Sequence, residues 1–377
     1  MLKRNKSSIS KPYFFGFLFG IILVFSQINF YYGLPLVIFS LLILSDKISL
    51  NNNDRFIFFV TILQLLWFLF MYIFFPVYLP HWIKHFAIFT IILVVIISKI
   101  DLKFIHGICF SLMILLILDF SFNIFSFLTG QDPLGRMPVV RPDDFVQRLG
   151  GIFGHSFFSL NISFVGFVSS YIKRNKILII LSILNMILAG SFRGFLLIIL
   201  IAISFYIVRK SVNLFKIKIY SILFAFSVFA ATIFSVTMNF SNANLIRVFA
   251  WFNSIENIIE NPLFGRQDFY RDEIETISIE NIDNYGVTES QYLEIAVHYG
   301  IIPALLFFMI MILILRKSYY AFNNLIHPHY EVKIILISAF VIFTDTFYGS
   351  IYGSPMATTF LTLLIYSSNK LIKNEYR

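Results

Sequence analysis

Residues 104–128 read FIHGICFSLMILLILDFSFNIFSFL. The run exceeds the roughly 20 apolar residues that carry a helix across a bilayer. Asp119 is its only acid, and it holds no lysine or arginine. In lipid, backbone N–H and C=O groups must bond within their own segment, so such a run is a helix. The rest of the chain follows suit. Its 377 residues are 58% hydrophobic and 13% charged, against about 25% charged in soluble domains. The expected fold is all-α: a polytopic transmembrane helical bundle, with residues 1–377 forming a single integral membrane domain.

The expected spans, about 12 in number, are 13–29, 31–46, 56–75, 82–98, 104–128, 152–172, 175–190, 192–208, 217–238, 290–315, 333–348 and 351–368. Alternate loops are basic, with Lys47 and Arg55, Lys99 and Lys103, Lys173 and Arg174, Arg209 and Lys210, then Arg316 and Lys317. Lys and Arg collect on the cytoplasmic side, so both termini are expected inside. The same bias accounts for the formal charge of +9, and nucleic acid is not an expected partner. The basic N-terminus followed by an apolar run resembles a signal peptide. It lacks a small-x-small cleavage site, so an uncleaved first span is expected. Cys109 is the single cysteine and sits in an apolar run, which excludes an intrachain disulfide. The seven histidines are scattered without metal-ligand spacing.

On this topology the outer side carries Arg136, Arg141, Arg148, Arg193, Arg247, Arg266 and Arg271, with Lys84 its only lysine. Guanidinium groups grip planar or multivalent anions through paired N–H donors, which points to phosphate or pyrophosphate. Two outer loops are long. One is 129–151, rich in Pro and Gly. The other is 239–289, where Arg247, Arg266 and Arg271 face nine Asp and Glu residues. Within it, Leu245, Phe249, Phe252, Ile255 and Ile259 recur at helical spacing before Asn261-Pro262. A short amphipathic helix over 244–260, lying along the outer interface, is expected there.

Four constellations are candidates for chemistry. Arg148-Leu-Gly-Gly-Ile-Phe-Gly-His155 opens the sixth span, and its glycines permit close approach of backbone or ligand. They serve equally as helix-packing residues, and His155 fits a packed, hydrogen-bonded role. Gly190-Ser-Phe-Arg193-Gly194 places an arginine in a tight outer hairpin, either to bind a ligand or to snorkel. Arg247 and Trp251 share a helix face, with Asn261-Pro-Leu-Phe-Gly-Arg266 following; a local cation–π pair is the plain alternative. Glu289-Ser-Gln-Tyr-Leu-Glu294-Ile-Ala-Val-His298 enters a span. Glu294 and His298 stand four apart, as either a self-satisfied pair or part of a site, and a carboxylate at the membrane mouth suits a general base. Asp119 and Asp345 are intramembrane acids, as functional groups or as polar packing partners.

These motifs resemble the O-antigen polymerase and O-antigen ligase superfamily of bacterial membrane glycosyltransferases. The matching stretches are Arg148 to Phe153, Ser191 with Arg193 and Gly194, Arg247 with Trp251 and Asn261 to Gly265, and Tyr292 to Ile302. The resemblance covers about 148–315, the family-like catalytic region. It implies a helical bundle with a large extracytoplasmic loop, in the bacterial cytoplasmic (inner) membrane. It also implies transfer of a glycan from undecaprenyl pyrophosphate to an acceptor hydroxyl, with arginines on the pyrophosphate and neither metal nor cofactor. Ligases of the superfamily often show His-Asn where this chain has Glu289-Ser290. That departure favours a polymerase of lipid-linked oligosaccharide repeat units, with inversion at the anomeric carbon. On this reading Glu289 is the base and Arg148, Arg193 and Arg247 stabilise the leaving group. Arg266, His155, Trp251, Tyr292, Glu294 and His298 contact substrate. The implied partners are the lipid-linked oligosaccharide, membrane lipid, a chain-length regulator and a flippase. The alternatives are a ligase of the same superfamily and a flippase or transporter of polysaccharide units. Transport sites lie near the bilayer midplane, where this sequence has few charges.

Overall fold

The computed structural model describes residues 10–28, 30–44, 47–48, 50, 52–75, 77, 79–135, 149–189, 192–210, 213–237, 242–266, 290–323, 330–347 and 354–375. Fourteen α-helices account for most of them: α1 (Lys11–Ile28), α2 (Phe30–Leu44), α3 (Arg55–Phe74), α4 (Leu79–Ile97), α5 (Leu102–Thr129), α6 (Ser156–Ile172), α7 (Lys176–Leu188), α8 (Phe192–Arg209), α9 (Leu214–Thr237), α10 (Asn242–Glu260), α11 (Gln291–Tyr299), α12 (Ile301–Asn323), α13 (Tyr330–Asp345) and α14 (Pro355–Glu375). The only β pairing among the described residues is short: Lys47–Ile48 runs antiparallel to Ser98–Lys99 and ties the α2–α3 connection to that between α4 and α5.

The protein is a multi-pass helical membrane protein. Arg55–Phe74, Leu102–Thr129, Leu214–Phe234 and Ile301–Asn323 are long and apolar enough to cross a membrane. Shorter apolar helices include Trp82–Ile97, Ser156–Ile172 and Lys176–Leu188. Large apolar side chains face outward along them, among them Phe59, Phe127, Ile177 and Phe226. Water would penalise that surface, and lipid does not.

One expected span is two helices. The segment read as 290–315 breaks at Gly300, whose φ of +91° ends α11 before α12 begins. An L side chain rarely adopts that backbone, so apolar character continues across a point where the helix cannot. The amphipathic helix expected over 244–260 is α10. It packs on α9 and α11 and stops at Asn261-Pro262.

Without water, helices associate through close packing. The α1–α5 crossing shows this: a Cβ on Gly107 would lie 2.1 Å from the Tyr13 carbonyl oxygen, and one on Gly16 would lie 1.9 Å from that of Phe104. At one end of the bundle, Lys317 of α12 pairs with Asp54 before α3 and lies 4.0 Å from the Tyr366 ring centroid. The opposite end gathers the C-terminal parts of α5, α7 and α13 with the N-terminal parts of α6, α8 and α11.

Candidate active site

The first assembly joins α5, α6 and α7. Asp119 of α5 is fully buried. Its carboxylate accepts hydrogen bonds from Ser159 Oγ at 2.6 Å, Asn185 Nδ2 at 2.8 Å and the Ile152 backbone N–H at 2.8 Å. Asn123, one helical turn along α5, accepts from the Gly151 N–H at 2.8 Å and donates to Ser159 Oγ and Asn185 Oδ1. Gly151 has φ +57°, and a Cβ there would lie 1.9 Å from Asp119 Oδ1. The close approach that these glycines permit is therefore made by the protein's own carboxylate. His155 is exposed, and its Nδ1 accepts the Phe157 N–H, capping α6.

Asp119 thus fastens the turn before α6 to α5. In Asp119→Ala the Ser159, Asn185 and Ile152 donors lose an acceptor, and each unmet buried donor costs about 1–3 kcal/mol. The variant is expected to melt well below wild type in detergent, with Asp119→Asn between the two. Equal melting of Asp119→Ala and wild type would remove this role.

The second assembly lies beside it. Arg193, in the first turn of α8, donates from Nη2 to both carboxylate oxygens of Asp345, at 2.9 and 3.1 Å, and from Nε to Oδ1 at 3.4 Å. Its guanidinium carbon lies 4.9 Å from the Phe157 ring centroid at the start of α6. Asp345 is 1% exposed and Arg193 14%. Nη1 of Arg193 makes no hydrogen bond among the described residues. The residue after Asp345 reaches the fourth motif: the Gln291 N–H donates to the Thr346 carbonyl at 3.2 Å. Tyr292 then packs its ring against Phe307, Phe308 and Phe347. The Arg193 hairpin, the start of α6 and the Tyr292 segment are neighbours, although 152 residues separate Arg193 from Asp345.

The third assembly joins α3, α4, α10 and α11. Glu294 is buried and accepts from Lys84 Nζ at 2.9 Å, with His85 Nε2 at 3.7 Å. Lys84, read from the sequence as the only outer lysine, is a partner of Glu294. The Asn261–Arg266 stretch closes on the far end of α11. The Arg266 N–H donates to the Val297 carbonyl at 2.6 Å, and the Ile301 N–H to the Pro262 carbonyl at 2.8 Å. Phe264 packs beside Trp67, Phe70 and Phe75. A Cβ on Gly300 would lie 1.9 Å from the Leu263 carbonyl oxygen. The Asn261–Arg266 and Tyr292–Ile302 stretches are thus one latch, held by backbone bonds. Its arginine side chain is braced by Asn257, which accepts from Nη1 at 3.3 Å. Trp251 is buried and stacked on Phe229 of α9, ring centroids 4.6 Å apart. His298 is buried beside Tyr299.

Residues 177–309 match the O-antigen ligase family. The matched region takes in Arg193, Trp251, Arg266, Tyr292, Glu294 and His298, and agrees with the superfamily resemblance of the motifs. Asp119, the Gly150–Gly154 turn and Asp345 lie outside it. A comparison with curated protein sequences finds no match.

Three of the expected site residues, Arg148, Glu289 and Arg247, are not described by side chain. Arg148 and Glu289 lie outside the described residues, as do Arg136, Arg141 and Arg271, and Arg247 is described only as part of the α10 backbone. The structure sets against the matched region three residues from outside it that the motifs did not single out: Phe157 beneath Arg193, Thr346 beside Gln291, and Lys84 on Glu294. Asn123 and Asn185 are a further addition. Their signal was present as amides interrupting apolar runs, where polar groups seek partners in neighbouring helices.

Proposed function

We propose that the chain is a membrane glycosyltransferase that joins lipid-linked oligosaccharide repeat units into a surface polysaccharide. It crosses the cytoplasmic membrane about 12 times with both termini inside and works at the outer face. The observation that carries the reading is Arg193: a guanidinium oriented by Asp345 and Phe157, with its Nη1 edge uncommitted among the described residues, inside the stretch that matches the ligase family. The leaving group is undecaprenyl pyrophosphate. The acceptor hydroxyl oxygen attacks the anomeric carbon from the face opposite the pyrophosphate. The bond from that carbon to the pyrophosphate oxygen breaks, its electron pair leaves with the phosphate, and configuration inverts. The hydroxyl proton passes to Glu289. Arg193, with Arg148 and Arg247, stabilises the negative charge that develops on the leaving group. A guanidinium fixed before the reaction needs no reorganisation during it, which is where electrostatic catalysis is strongest. The Asp345 carboxylate takes the Nε and Nη2 donors of Arg193 and leaves those of Nη1 to face an anion.

The description of the matching family favours a second reading, transfer of finished polymer to another acceptor. Deleting the gene separates the two. A polymerase leaves single repeat units on the lipid at the outer face; a ligase leaves lipid-linked polymer. Normal polymer on its normal acceptor in the deletion strain would overturn both. Single units confined to the inner face would point instead to a flippase.

A further inference from the structure

The side chain of Gln291 is fully buried, and neither its Oε1 nor its Nε2 has a hydrogen-bond partner among the described residues. Burying an unbonded amide is unfavourable, and in a membrane protein no solvent compensates it. An apolar side chain of similar volume would suit the position better if packing were its only task. Gln291 also stands where two assemblies meet. Its N–H is bonded to Thr346, the residue after the Asp345 that holds Arg193. Glu294, which holds Lys84, is three residues along the same helix and on a neighbouring face position. Each carboxylate is therefore occupied by its own cation, and the amide between them is the neutral group left over.

We propose that Gln291 binds substrate at this site, hydrogen-bonding hydroxyl groups of the glycan. An amide donates and accepts, as paired sugar hydroxyls do, whereas the neighbouring guanidinium only donates and suits phosphate oxygens. Protein stability is given up at such a position in exchange for binding, a pattern expected of functional residues. Two other buried amides, Gln64 of α3 and Asn161 of α6, are also unpartnered. Gln64 is the control, because none of the contacts described joins it to Arg193 or Gln291.

The proposal rests on the transferase reading, and the experiment separates the two. The probe is the lipid-linked oligosaccharide extracted from source cells deleted for this gene, added to the full-length protein in detergent–lipid micelles. Two quantities are read: transfer, and the rise in melting temperature that the probe produces by binding the folded state. Gln291→Leu is expected to melt at or above the wild-type temperature without probe. It is also expected to show a KM raised roughly tenfold, the loss of about one hydrogen bond, with a smaller change in kcat. The probe-induced rise in melting temperature is expected to shrink in parallel. Gln291→Glu, which keeps an acceptor, is expected to recover part of the affinity. Gln64→Leu is expected to melt at or above wild type with KM unchanged. An unchanged KM and an unchanged probe-induced rise in Gln291→Leu would overturn the proposal and leave the transferase reading standing. A fall in melting temperature with KM unchanged would make Gln291 a structural residue and overturn it as well. Wild-type protein that is stabilised by the probe without transferring it would defeat the transferase reading, and Gln291 would then stand or fall by the shift alone.

Discussion

Arg193→Ala is expected to lower kcat by about 10²–10³, the usual cost of removing one fixed donor from a developing oxyanion. The same change also takes Arg193 from Asp345, which is buried, and breaking a buried ion pair costs roughly 3–5 kcal/mol. A fall in activity therefore needs a companion that keeps the fold. Arg193→Gln with Asp345→Asn supplies it: two neutral amide groups can still hydrogen-bond between α8 and α13, and no charge is stranded. The double variant is expected to reach near-normal levels in the membrane, melt close to wild type and remain nearly inactive. Arg193→Lys keeps the charge but not the fork of donors over Phe157, and is expected to be impaired as well. Full transfer by the double variant would reduce the Arg193–Asp345 pair to a helix clamp and remove the main support for the proposed chemistry.

Gly300→Val is expected to have the largest structural effect. Its backbone, at φ +91°, is one that a β-branched residue resists, at a cost of order 1–3 kcal/mol. Its Cβ would also lie 1.9 Å from the Leu263 carbonyl oxygen, backbone that cannot turn aside. The Pro262–Ile301 and Val297–Arg266 bonds are expected to part, and Phe264 to leave its place among Trp67, Phe70 and Phe75. Limited proteolysis should then cut within 261–266 at rates the wild type never shows, while α1 to α9 stay protected. Wild-type cleavage in Gly300→Val would mean that the latch is held by something other than this junction.

The helices were legible because lipid imposes one rule on the backbone, and a run such as 104–128 has a single way to obey it. The stop of α10 at Asn261-Pro262 was legible for a similar local reason. Gly300 escaped because the residues around it stay apolar; hydropathy registers the solvent a segment suits and is blind to one backbone angle. The partners of the charges were not legible. Asp345 and Glu294 were visible as acids near membrane ends, but periodicity assigns a face without naming the helix opposite it. Lys84 and Glu294 are 210 residues apart, and only the packing of α4 on its neighbours joins them. The glycines at 150 and 151 were read as room for close approach of backbone or ligand, or as helix packing. They are equally the signature of a carboxylate pressed against backbone, and Asp119, some thirty positions earlier, supplies it. Trp251 has the ring expected of a sugar platform, and its stacking on Phe229 was beyond any local pattern.

The latch bears on how such a chain can change. Arg266 is tied by its backbone to Val297, and Gln291 by its own to Thr346, so both ends of the 267–289 segment are moored to α11 or its immediate partners. The cost of closing a loop between fixed moorings grows slowly, by about 0.6 kcal/mol for each doubling of length. Insertions and deletions in that segment, short of Glu289, are therefore cheap for the stability of the bundle. Selection can change the length of the stretch before Glu289 while the helices that hold the charges inherit no disturbance from it.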